Sequence, residues 1–298
     1  MNICGRDIEI RGRICRIARI DGDKYKFLDD PESVLSGLRK SDTRVDLFTF
    51  MQRLPETTPK YNYPVEMDNL AVLTISTFDQ WWNERLGFKG RNKAKQAGKK
   101  GVVVREVPFD DDLVRGICEI YNESPVRQGR PFPHYGKSFD VVRKMSATFL
   151  DSSIFIGAFV GEELIGFIKL TNDENQTQSG IMHIVSKIKH RDKAPTNALV
   201  AQAVRSCADR KIPYLVYSNF AYGKKETSSL SDFKERNGFE RVDVPRYYVP
   251  LTRAGRIAFG LGVHRGLADH LPEPMVAKLR ELRAAWYNHQ FPSAMKGL

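Results

Sequence analysis

No apolar run in the sequence approaches the roughly 20 residues that a membrane-spanning helix needs, and the opening MNICGRDIEIRGRI interrupts its apolar positions with charges almost at once. Neither a signal peptide nor a membrane anchor is expected there. Cysteine is scarce and scattered: Cys4, Cys15, Cys118 and Cys207 form no close pair. That spacing excludes a disulfide framework and a cysteine metal site, and it points to reduced thiols in a cytoplasmic protein. Low-complexity tracts are missing, which argues against wholesale disorder. RNP, zinc-finger and helix-turn-helix signatures are missing too, so sequence-specific DNA binding is not expected. GRPFPHYGKS (Gly129 to Ser138) has six residues between its glycines and no strand before it. It is not a Walker loop.

Acidic charge is also in short supply. Lys plus Arg number 47 against 36 Asp plus Glu, a net charge of +11 over 298 residues, which favours anionic partners such as nucleic acid, phosphorylated cofactors or anionic membrane. The shortage is local as well: Lys89, Arg91, Lys93, Lys95, Lys99 and Lys100 share a segment without one acidic residue. Such a run is either a solvated helix face or a ligand-facing patch.

The apolar pattern gives the elements. Ile8 to Ile20 alternate around basic partners, and Asp21-Gly22 supplies a turn before Tyr25 to Leu28, the pattern of an opening hairpin. A helix from Pro31 to Lys40 and strands at Val45 to Met51 and Leu70 to Ile75 follow, separated by the proline-rich loop Leu54 to Pro64. Thr77 with Gln80 opens a helix through Trp81, Trp82 and Leu86, whose aromatic pair reads as core. From Val102 the order is strand 102–107, helix 110–122, loop 123–137, helix 138–150, a hairpin turning at Gly161, strand Ile181 to Ser186, helix 196–211, strand Tyr214 to Ser218, helix 226–237 and strand 240–249. Helices before, between and after a meander of strands indicate a mixed α/β sheet of the α+β kind. Beyond Leu251 lies a basic tail, with a helix expected from Glu273 to Asn288 carrying Met275, Leu279, Leu282 and Trp286 on one stripe. The stripe suits docking on the body or peripheral contact with an anionic membrane at its inner face.

Four segments taken in order resemble the GNAT-fold domain of Fem-like transferases, enzymes that add amino acids to peptidoglycan precursors. They are RNKAKQAGKKGVVV (Arg91 to Val104), GEELIGFIKL (Gly161 to Leu170), the stretch Ala194 to Asn219, and SLSDFKERNGF (Ser229 to Phe239). The resemblance implies a GNAT-like acyltransferase fold with a shortened first half at 1–88, a transferase domain at 89–250 and a helical tail at 251–298. It also implies an acyl or aminoacyl transfer to an amine or hydroxyl of a cell-envelope or small-molecule acceptor, without metal. The donor that the resemblance implies is acyl-CoA or aminoacyl-tRNA, both phosphate-bearing. HRDKAPTN (His190 to Asn197) lacks the glycines of the acetyl-CoA-binding GNAT turn. An acetyl-CoA-dependent N-acetyltransferase and a non-catalytic module binding RNA or anionic lipid stand as alternatives.

Acyl transfer needs donors that polarise a carbonyl, a base for the acceptor proton and an acid for the leaving group. Backbone N–H groups can supply the first; His183, Tyr217 and Tyr222 are the titratable candidates for the others. Lys187, Lys189 and Arg191 precede a helix opened by Thr196 and Asn197 and, with Lys224 before the next helix, make the candidate donor set. Lys234 reads as part of a helix C-terminus capped at Gly238. The loop Ser124 to Phe139 presents Arg127, Gln128, Arg130, His134 and Tyr135, donors and aromatics suited to an acceptor carboxylate or phosphate.

Overall fold

The structure is a computed structural model describing residues 1–127, 129–222 and 228–265, together with positions 278 and 282. In chain order come strands β1 (Asn2–Ile3), β2 (Arg6–Arg11) and β3 (Ile17–Ile20), helix α1 (Pro31–Lys40), and strands β4 (Leu47–Met51) and β5 (Val65–Thr74). A short turn α2 (Phe78–Gln80), prolonged as a π turn over Trp81–Arg85, leads into α3 (Phe88–Lys99). Next are β6 (Val103–Val107), α4 (Asp111–Asn122), the small hairpin β7 (Val126–Arg127) and β8 (Arg130–Pro131), and α5 (Phe139–Ser146). The meander β9 (Ser153–Val160), β10 (Glu163–Asn172) and β11 (Gln178–Ser186) precedes α6 (Pro195–Asp209) and β12 (Tyr214–Asn219). Helix α7 (Ser229–Arg236), β13 (Glu240–Pro250) and α8 (Arg253–Gly260) close the described chain.

The helix starts follow local chemistry. Asp30 accepts from Glu32 N–H ahead of Pro31, and Asp110 accepts from Leu113 N–H, each satisfying a donor that the first turn leaves free. Among the described residues eleven strands form one sheet, in the order β1-β2-β3-β4-β13-β5-β12-β11-β10-β9-β6. Strand β13 lies between β4 and β5 and pairs antiparallel with both, so the sheet runs unbroken through the segments 1–88 and 89–250. One face of its second half carries α3 and α6 over Ile168, Leu170, Leu199, Val204 and Leu215. The opposite face is covered by α4 and α5 over Ile117, Ile120, Phe155 and Phe167.

Two expectations change. The Asp21-Gly22 turn closes no hairpin: β2 pairs with β3, and the chain after β3 crosses the sheet instead, packing the Tyr25 ring into the space left by the missing Cβ of Gly180. Helix α5 stops at Ser146, four residues short of the expected end, and the chain turns through Phe149 at φ 54°. A buried lysine explains the stop. Lys169, 0% exposed on β10, donates to the carbonyls of Ser146 and Thr148 and so gathers the helix's last acceptors. The tail helix expected from Glu273 to Asn288 lies outside the described residues apart from Lys278 and Leu282. Among the described residues no helix is long and apolar enough to cross a membrane.

Candidate functional site

Strands β11 and β12 run parallel but share a ladder only over Gln178–Gly180 and Tyr214–Val216. Beyond it β11 continues to Ser186 and β12 to Asn219, with no pairing across the seam. On the β10 side Lys169 faces His183 while Leu170 faces Ile181, so Met182 bulges out of register. A bulge bends its strand and leaves backbone groups free of the ladder. The open seam becomes a cleft of about 910 Å³.

Its lining is one-signed. Lys89 and Lys93 come from α3, Arg127 and Arg130 from the small hairpin, Lys187 and Arg191 from the turn after β11, and Arg236 from α7; among the described residues no Asp or Glu lines it. Some of these cations are already engaged. Lys187 Nζ lies 2.8 Å from both Glu119 and Glu163, with its side chain only 6% exposed. Arg127 donates to the carbonyls of Ser186 at 2.7 Å and Ile120 at 2.6 Å, and to Glu123 at 3.1 Å. Lys89, Lys93, Arg130 and Arg191 are exposed and have no carboxylate within ion-pair distance among the described residues. The first turn of α6 joins them: Ala194 precedes it at φ 52° with no side-chain cap, Pro195 takes the first position, and Thr196 and Asn197 line the cleft. An uncapped N-terminus beside free cations favours an anion. Apolar walls complete the cleft, from Phe132, Ile184, Ile188 and Phe233.

Of the residues named from sequence, Arg127, Arg130, Lys187, Arg191, Thr196, Asn197 and Tyr217 meet in this cleft. Lys187 does so through its backbone side, its ammonium being turned to the two glutamates. Lys189 stands outside, ion-paired to Glu163, whose carboxyl is pulled down to about 2 chiefly by Lys187 and Lys189. Tyr135 and Tyr222 are exposed surface residues, at 46% and 51%. Gln128 and Lys224 lie outside the described residues. His134 and His183 pair edge to face at 5.8 Å, and His134 stacks on Tyr121 at 4.6 Å. Both belong to the α4–α5 side, since His183 shares the face of its ladder partner Lys169.

Burial lowers the His183 pKa to about 4, with His134, Lys169 and Lys137 adding to the shift. The folded chain therefore holds His183 neutral between pH 4 and its ordinary 6.5, where the unfolded chain binds a proton. Stability is expected to rise with pH across that window, by up to about 3 kcal/mol, and to be flat above it for this group. Thermal melts from pH 4.5 to 7.5 check this, with His183→Gln expected to flatten the slope and an unaltered slope removing the assignment.

Arg127, read from the sequence as an acceptor-binding donor of the loop, also holds structure: its guanidinium ties the loop to α4 and β11 and covers the Phe132 ring at 4.8 Å. Arg127→Ala is expected to lower unfolding free energy by about 2 kcal/mol, because two carbonyls and Glu123 lose their donor. Urea denaturation measures it. Sequence reading missed Arg236 and Asn237 on the cleft wall. It left Lys89 and Lys93 undecided within the basic run, which the fold divides: Lys100 pairs with Asp192 at 2.9 Å and Arg91 caps the carbonyls of Asn83 and Leu86. Among the described residues no group of three or more His, Cys, Asp or Glu is placed to hold a metal ion.

No protein-family model matches the chain, and no curated protein sequence matches it. Solved structures do. FemX aligns with a TM-score of 0.61 at 9% identity, over 86% of this chain and 86% of that one. L-PGS from Bacillus licheniformis aligns at 0.59 and 14%, over 86% of this chain and 84% of that one. A C-terminal DUF2156 domain from Agrobacterium fabrum, assigned by name to a lysylphosphatidylglycerol synthetase, aligns at 0.55 and 11%, again over 86% and 84%. At such identities the likeness speaks to the fold alone, and that fold is a mixed α/β fold of the GNAT type.

Proposed function

We propose that the chain transfers an acyl or aminoacyl group from a phosphate-bearing donor in the β11–β12 cleft to an amine or hydroxyl reaching it from the α4–α5 side. The observation that carries this is a cleft open at a strand seam, apolar in its walls, with seven cationic residues and no carboxylate among its described lining. Phosphates sit against Arg191 and the first turn of α6; the carbonyl to be attacked lies along the unpaired edge of β11, whose N–H groups polarise it. His183, neutral at pH 7, takes the proton as the acceptor's lone pair adds to the carbonyl carbon. Collapse of the tetrahedral adduct expels the thiolate or ribose oxygen, and that leaving group takes up the proton.

The fold shared with FemX and L-PGS supports the reading but does not choose the donor. The choosing experiment compares binding of acyl-CoA, aminoacyl-tRNA and uncharged tRNA to the purified chain at two salt concentrations. One phosphate-bearing donor is expected to bind and to weaken as salt rises. Failure of all of them to bind would sink the proposal, and binding of uncharged tRNA as tight as the charged form, without transfer, would favour the non-catalytic module.

A further inference from the structure

Two ammonium groups meet at the C-terminal end of β12, and the transfer chemistry uses neither. Lys24, in the segment between β3 and α1, donates to Ser218 Oγ at 3.1 Å and to Asn219 Oδ1 at 3.3 Å. Lys234, on α7 and 0% exposed, donates to the Asn219 carbonyl. Its ammonium also lies 4.8 Å from the Tyr217 ring centre and 5.0 Å from that of Tyr222. Lys234 stands in the last turn of α7, ahead of the expected cap Gly238 at φ 85°, but its side chain turns away to β12. Segments far apart in sequence bring two like charges to one residue.

Neither ammonium has a carboxylate within ion-pair distance among the described residues. Asp23, beside Lys24 in sequence, is engaged by Arg246 at 2.7 Å. An ammonium carries three N–H donors; two of Lys24 and one of Lys234 are hydrogen-bonded among the described residues, which leaves three without a partner there. Burying such groups without an anion is costly. The backbone is unusual at the same point, where β12 loses register between Val216 and Asn219 and Ser218 takes φ 49°. Strain of this kind, about 1–3 kcal/mol in a non-glycine residue, persists where surrounding contacts fix it and gathers at ligand sites.

We propose that Lys24 and Lys234 form a binding site for a small oxyanion, the carboxylate or phosphate monoester of a ligand, built jointly by the N-terminal segment and α7. Neither lysine lines the donor cleft, so binding here is independent of the function proposed above. Tyr217 links the two places, since it lines the cleft and lies over Lys234.

Calorimetric titration of the full chain with inorganic phosphate and, separately, sodium acetate tests this, in an Arg191→Ala background that weakens phosphate binding in the cleft. At least one anion is expected to bind, and Lys24→Met is expected to weaken it tenfold or more. Lys24 is only half-buried, so this variant is expected to fold even where Lys234→Met does not. Phosphate-only binding assigns a phosphate ligand and acetate-only binding a carboxylate. Undiminished affinity in Lys24→Met, or no binding of either anion, would overturn the proposal. Donor binding measured on Lys24→Met reports on the cleft separately, so either site can fail alone.

Discussion

Arg246→Met is expected to destabilise the chain by about 3–5 kcal/mol, the usual consequence of removing one member of a buried ionic group. Arg246 is 8% exposed on β13 and donates through Nη1 to Asp23 at 2.7 Å and through Nε to Asp68 at 2.6 Å. Its own pKa is pushed up by the two carboxylates, which outweigh its burial. Methionine fills much of the volume but leaves the buried Asp23 and the half-buried Asp68 without their shared cation, so that Asp23 must protonate or draw in water. The loss also falls on architecture: the triad ties the segment after β3 to β5 and β13, and it positions Lys24 beside Asn219. Urea denaturation followed by circular dichroism gives the magnitude. Replacing the whole triad, Arg246→Met with Asp23→Leu and Asp68→Leu, is expected to recover most of the loss, because apolar packing substitutes for the ions without stranding one. A single variant as stable as wild type would mean that water already reaches the triad.

The triad also marks where sequence reading stopped. Periodicity and caps located α1, α4, α6 and the β9–β10 hairpin, because each depends on neighbours within a few residues. The GNAT-type order of the second half was legible for the same reason, and the resemblance of four short segments agrees with the observed fold. Strand partners were not. That β13 enters between β4 and β5 depends on pairings such as Tyr247 with Phe50 and Val242 with Leu70, far apart in sequence. The same gap explains the misplaced hairpin at Asp21-Gly22, a sound local turn signal overridden by burial of Tyr25 against Gly180. At the site, the sequence supplied the cationic types but could not say which had acidic partners. Lys187 and Arg191 look alike in HRDK-type context; only the fold brings Glu119 and Glu163 to the first and leaves the second open to the cleft. The missing glycine in HRDKAPTN has a physical resolution too. Ala194 itself takes the left-handed conformation, φ 52° and ψ 43°, so α6 opens on the cleft without one.

That division between engaged and free cations yields the second large effect. The double variant Lys93→Glu with Arg191→Glu is expected to weaken donor binding about a hundredfold, close to 3 kcal/mol. Two charges reverse sign on a wall whose described residues carry no carboxylate, so the change alters the cleft's field rather than one contact. Stability is expected to hold, because both side chains are exposed and break no ion pair when replaced. The salt dependence of the remaining binding should also flatten, since fewer counterions are exchanged when phosphate-neutralising cations are lost. Lys189→Glu is the informative control: it lies in the same short basic run and removes the same charge, but it sits outside the cleft and is paired with Glu163. A general electrostatic attraction to the protein's net charge predicts similar losses for equal changes in charge wherever they are made. A cleft-bound donor predicts a large loss for Lys93 and Arg191 and little for Lys189. Filter binding or fluorescence anisotropy of the bound donor at two salt concentrations separates the two, and equal per-charge losses in all three positions would return the basic surface to a solvated face.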